Sequence, residues 1–149
     1  AVVEQIYPYV QIVHLICAII FLGYIFFDIV IFSRLKGALG ADYERVKKAI
    51  GSRAIKIMPV CLFTLIITGG MMMSRWVGSA NGGYFGTPLQ KIFMLKVTLA
   101  LIIAACVAIN LSCRAIGRPA PEFLRANIHK IAFVFGFIIV LCAKLMFVV

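Results

Sequence analysis

Four apolar stretches, each long enough to cross a bilayer, constrain this chain more than anything else in it. A helical crossing takes about 20 residues, and the runs fall at residues 7–32, 55–73, 92–113 and 128–149 of a 149-residue sequence. Lipid offers the backbone no hydrogen bonds, so such segments are helices or strands of a closed barrel. Continuous apolar runs without strict alternation select helices. The expected fold class is therefore all-α: an integral membrane four-helix bundle forming a single transmembrane domain. The composition agrees, with 64% hydrophobic and 13% charged residues against about 25% charged in soluble domains. That excludes a soluble globular protein, a disordered chain and a disulfide miniprotein. The first run is too long for a signal-peptide core and lacks both a basic leader and a small-residue cleavage site, so a permanent span is expected there.

The formal net charge of +10 suggests nucleic acid until the charges are placed. Arg34, Lys36, Arg45, Lys47, Lys48, Arg53 and Lys56 lie in or beside the first connection, and Arg114, Arg118, Arg125 and Lys130 flank the third. The second connection carries only Arg75 and Lys91. Cytoplasmic loops collect Lys and Arg, so both termini are expected outside, with connections one and three inside against anionic lipid headgroups. The charge then reports topology in a membrane, expected to be the bacterial inner membrane. Membrane lipid is the expected partner and nucleic acid is not.

The connections differ in character. The first, residues 33–54, predicts a short interfacial helix over Tyr43–Gly51, because Val46, Ala49 and Ile50 fall at helical spacing. The second, SRWVGSANGGYFGTPLQK, reads as a turn-laden cap with Trp76, Tyr84 and Phe85 at headgroup level. In the third, GRPAPEFLRAN, two prolines end helix three and Asn127 is the expected N-cap of helix four. Cys17, Cys61, Cys106, Cys113 and Cys142 are scattered singly, with no Cys-x-x-Cys. Neither a zinc site nor covalent haem attachment is supported, and the thiols read as small hydrophobes.

What remains is a short set of polar residues within the spans, where ionisable groups are costly unless paired, ligated or hydrated. With the N-terminus outside, His14, Lys96 and Lys144 fall in the outer half, with Asp28, Asn110 and His129 in the inner half. The separations along helices one, three and four are 14, 14 and 15 residues, or about 21–23 Å at helical rise. Each pair returns to within about 40–60° of the same face at 100° per residue. Gln11 extends the face of helix one, Arg75 sits at the outer rim and Lys56 at the inner. Helix two adds Thr64, Thr68, Gly69, Gly70 and the Met71–Met73 run, the glycines permitting close approach of a helix or a flat ligand.

The inner tier reads as a charge-paired clamp between helices. The outer tier has two lysines and a histidine without a carboxylate among the spans, and so reads as a cofactor or substrate site. Imidazole is the usual axial donor to haem iron, and a lysine could be a second ligand or pair with propionates. His14 and His129 lie in opposite tiers, too far apart to bracket one iron. Copper is the rival, with His14 and Met71 or Met73 as ligands, although consecutive helical methionines diverge by about 100°.

Several segments resemble a known family. VHLICAIIFLGYIFFDIVIF in the first helix, ITGG closing the second, LKVTLAL opening the third, RANIHK before the fourth and AKLMFVV at the end resemble the membrane superfamily containing the HemJ-type protoporphyrinogen oxidases and the copper-resistance D proteins. The resemblance covers nearly the whole chain, with FDIVIFSRLKG standing where an aromatic-rich Leu-Pro-Arg-Leu stretch is expected. It implies b-type haem and a functional pair, a helix-one histidine and a helix-three lysine, which map onto His14 and Lys96.

The leading expectation is a membrane protein binding haem b, an oxidoreductase or electron-transfer protein. Its iron ligand would be His14, its catalytic residues His14 and Lys96, and its cofactor contacts would include Lys96, Lys144, Arg75 and Gln11. A copper-handling membrane protein and a non-catalytic helical subunit are the alternatives. A porphyrin or quinone-type partner and a homo-oligomer both remain open.

Overall fold

Helix begins almost at once and is interrupted only where the sequence carries turn residues. The computed structural model describes residues 2–78, 82–118 and 121–148, without the side chains of Val2, Val3, Glu4, Trp76, Arg125 and Ala126. Expectations resting on the Trp76 and Arg125 side chains, or on Val149, lie outside the described residues. The long helices are α1 (Val2–Phe26), α2 (Tyr43–Trp76), α3 (Pro88–Ala115) and α4 (Glu122–Leu145). The fold is all-helical among the described residues, apart from an isolated bridge between Gly78 and Gly83.

Among the described residues, three continuous helical stretches are long and apolar enough to cross a membrane: Gln5–Arg75, Pro88–Ala115 and Asn127–Leu145. The first has 71 residues, which would extend about 106 Å if straight. Instead α1 packs along α2, so the chain reverses between them. The reversal uses a π turn (Phe27–Ile31), a 3-10 turn (Phe32–Leu35), a single α turn (Lys36–Leu39) and another 3-10 turn (Gly40–Asp42). Gly40 takes φ of 56° there, a left-handed value that a side chain would resist. An aromatic stack holds the corner: Phe32 lies 4.9 Å from Tyr43, centroid to centroid, and Lys36 sits over the Tyr43 ring.

Two expectations about the connections are corrected. Tyr43–Gly51 is not a separate interfacial helix but the opening of the 34-residue α2. Nothing at Gly51–Ala54 breaks the backbone, and the Ser52 hydroxyl donates to the Ala49 carbonyl within the helix. At about 51 Å, α2 is longer than a hydrocarbon core of about 30 Å, and its first turns carry the basic residues Arg45, Lys47 and Lys48. Asn127 does not cap α4, which starts five residues earlier after Pro121. The Asn127 amide donates instead to the Phe123 carbonyl one turn back. The proline's fixed φ and Glu122 in the first turn set the start. Conversely, Thr87 caps α3 by accepting from the Gln90 N–H at 3.2 Å, with Pro88 next in line. Thr-Pro-Leu-Gln was a readable start signal.

Helix α3 packs along α4 as α1 does along α2, and the two pairs touch each other more sparingly. The central contact between them is a buried layer of Phe21, Ile25, Ile103 and Ala132. Val77, Phe93 and Met146 form a second cluster, at the end away from the basic connections. The outer faces carry exposed Leu15, Ile19, Val60, Phe63, Leu101 and Phe137. An apolar exterior of this extent suits lipid rather than water. At Gly136 a Cβ would run into the end of the Leu22 side chain, so α1 and α4 come close there and a larger residue would make Leu22 shift.

Candidate functional site

Because the helix pairs meet loosely, an apolar cavity of about 510 Å³ opens between them, away from the basic connections. His14 from α1, Gly69, Gly70 and Met73 from α2, and Phe93 and Lys96 from α3 are in its wall. Ile66, Leu101 and Val140 belong both to the wall and to the exposed exterior, so the cavity reaches the bundle's apolar surface sideways.

His14 is held in a defined way. Its Nδ1 lies 2.7 Å from Thr68 Oγ1, and Thr68 Oγ1 lies 2.7 Å from the Thr64 carbonyl oxygen. A hydroxyl has one proton. The carbonyl can only accept, so that proton goes to Thr64, and Oγ1 must accept from the His14 Nδ1–H. In a neutral ring a proton on Nδ1 leaves Nε2 with its lone pair, the arrangement by which an outer partner orients a metal-binding imidazole. Thr68 is itself buried. The ring lies against α2 at Gly69, where a Cβ would make an ordinary 3.5 Å contact with His14 Cε1.

Lys96 shares this cavity with its Nζ 5.4 Å from the centre of the Phe93 ring. No carboxylate pairs with it among the described residues: the ion pairs there are Arg45–Asp42 and His129–Asp28. An ammonium on an aromatic face in an apolar cavity retains affinity for an anionic group.

Other expected contacts are not brought to this site. Lys144 and Gln11 are exposed and absent from the cavity wall. Arg75 lies over the Tyr7 ring at 4.5 Å. Among the methionines, Met72, Met73 and Met94 face the cavity while Met71 does not, as three divergent directions on one helix require. Met73 also packs against the Val77–Phe93–Met146 cluster. No three side chains of His, Cys, Asp or Glu converge as a metal cage among the described residues, and the five cysteines are free thiols.

The inner tier assembles as a pair. His129 Nδ1 donates to Asp28 Oδ2 at 2.5 Å, joining α4 to the π turn after α1, and the edge of the His129 ring meets Tyr24. Asn110 lines a cavity with His129, whereas Lys56 is exposed. Sequence reasoning named Thr68 as a helix-two polar residue but missed that it orients His14, since hydroxyl-to-imidazole pairing depends on how two helices dock.

The chain matches no protein-family model, no curated protein and no solved structure.

Proposed function

We propose that this chain is a b-type haem-binding protein of the bacterial inner membrane, an oxidoreductase or electron-transfer protein, in which His14 would ligate the iron and Lys96 would pair with a propionate. The observation that carries the reading is His14, held by its Nδ1 at Thr68 Oγ1, in the wall of the cavity that Lys96 also lines. A volume of about 510 Å³ lies within the 300–1,000 Å³ typical of ligand sites. The glycines of α2 leave room for a flat group, and the resemblance to the HemJ-type family marks the same two residues. Haem, when bound, supplies the one-electron chemistry. The protein's own part is to fix the imidazole, offer a cation to a carboxylate and keep the surround apolar. Sideways access suits a lipid-soluble partner of porphyrin or quinone type.

The four long helices are read as four spans with both termini outside, on the asymmetry of the basic connections. A second reading, copper handling, draws on Met72, Met73 and Met94 sharing the cavity with His14, since thioethers and imidazole suit Cu(I). One experiment separates them: absorption spectra of the purified protein, oxidised and reduced, with metal analysis of the same sample. Haem binding gives a Soret band that His14→Ala abolishes and His129→Ala leaves nearly unchanged. Protein made with haem available that lacks any Soret absorbance overturns the haem reading, and copper in that sample establishes the alternative.

A further inference from the structure

A second cavity, of about 210 Å³, lies toward the basic connections and draws wall residues from all four long helices. It is chemically unlike the first. Tyr24, Asn110, Arg114 and His129 line it, and the Asn110 side chain has no hydrogen-bond partner among the described residues. Pro59, also in the wall, has no N–H to give the Ile55 carbonyl one turn earlier. Most of the remaining wall is apolar, but a cavity this large holds water when two to four polar groups are available to it. Arg114, exposed at the end of α3, places the mouth on the side of the basic connections. The other limit is apolar: Phe21 belongs to the walls of both cavities, and it packs with Ile25, Ile103 and Ala132 in the buried layer between them. An apolar constriction of this kind excludes water by dewetting.

We propose that the smaller cavity is a water-filled vestibule, and that the Asp28–His129 pair is the proton-exchanging site it serves. His129 lines the vestibule while its Nδ1 is bonded to Asp28, so Nε2 is the nitrogen left to meet water. A hydronium ion gives a proton to Nε2, the Nδ1 proton passes to the Asp28 carboxylate, and a water molecule remains. The reverse sequence releases the proton. Groups facing the pair are Tyr24 from α1 and Asn110 and Arg114 from α3, while α2 offers Gly51, Ala54, Met58 and Pro59 to the wall without a charge. Carboxylate and imidazole chains at membrane depth are a recurrent means of moving protons. The inference does not depend on what occupies the larger cavity.

Two measurements in nanodiscs, where both membrane faces are open, test it. The first compares Asn110→Cys with Ala100→Cys, a position in the wall of the larger cavity, for reaction with a small, charged, membrane-impermeant thiol reagent, read by peptide mass spectrometry. The thiol introduced at position 110 reacts at least about tenfold faster than the one at position 100 if one cavity is wet and the other dry. Equal rates overturn either the wet vestibule or the Phe21 barrier, according to whether both are slow or both fast. The second uses infrared spectroscopy of the unaltered sequence. A carboxyl band responds to pH and to D2O within the mixing time and is lost in Asp28→Asn, which keeps the side-chain shape and a bond to His129. Absence of such a band overturns proton exchange at the pair, even if Asn110→Cys does not fold.

Discussion

Thr68→Val tests the central claim about His14 with little change in shape. The substitution removes the acceptor that the structure gives the Nδ1–H, at 2.7 Å, in a position that is 7% exposed. Thr64 keeps its place in the helix ladder, so the loss falls on His14. Stranding a donor between packed helices costs about 1–3 kcal/mol. The imidazole then escapes by rotating or by moving its proton to Nε2, and only the remaining fraction can bind iron. Affinity falls by that fraction. Removing an outer partner of a metal-bound histidine typically weakens binding about 10–100-fold, equivalent to about 1.4–2.8 kcal/mol. The two ranges overlap, as they should if one hydrogen bond accounts for both. The assay is haem titration of detergent-purified protein followed at the Soret band, with thermal unfolding measured on the same preparations. Thr68→Ser, which retains the hydroxyl, should bind within about threefold of the unaltered protein. If folded Thr68→Val binds haem as tightly as Thr68→Ser, the tautomer argument fails.

Four shorter tests address the rest of the site and the fold. Lys96→Ala should shift or weaken the Soret band while Lys96→Arg largely restores it; identical spectra for both would show that the cation is not in contact with the cofactor. Gly69→Ala should be nearly neutral, because its Cβ would sit at an ordinary 3.5 Å from His14, whereas Gly69→Val should displace the ring and reduce haem occupancy, as read by the haem-to-protein ratio. Asp28→Ala should lower thermal stability by about 1–3 kcal/mol, less than for a wholly buried pair because the Asp28 and His129 side chains are 24% and 41% exposed, while leaving the larger cavity's ligand bound. Single cysteines at positions 47 and 84 should label from opposite sides of the membrane, the first from the cytoplasm; labelling of both from one side would refute the four-span topology.

Much of this arrangement follows from sequence because depth in a membrane is a local quantity. Rise along a helix is constant, so counting residues was enough to put Asp28 level with His129, 101 positions away, and the two do meet. The same counting put His14 level with Lys96, and both line one cavity. Direction around the helix is different. It accumulates error with every turn and is finally decided by how helices dock: Lys144, about 60° off the stripe of His129, ends exposed. Asp28 sits within a π turn whose extra residue no apolar pattern announces. The continuation of α2 from Tyr43 through the basic segment was hidden because charged residues support a helix as well as a surface loop. Nor does a threonine in an apolar run disclose that its hydroxyl, already committed to its own helix, will accept from a histidine on another. Length, apolarity and charge thus determined the helices and the levels of their polar residues. Only the docking of α1 against α2, and of that pair against α3 and α4, decided which of those residues share a cavity, because azimuth and tautomer are set by neighbours distant in the chain.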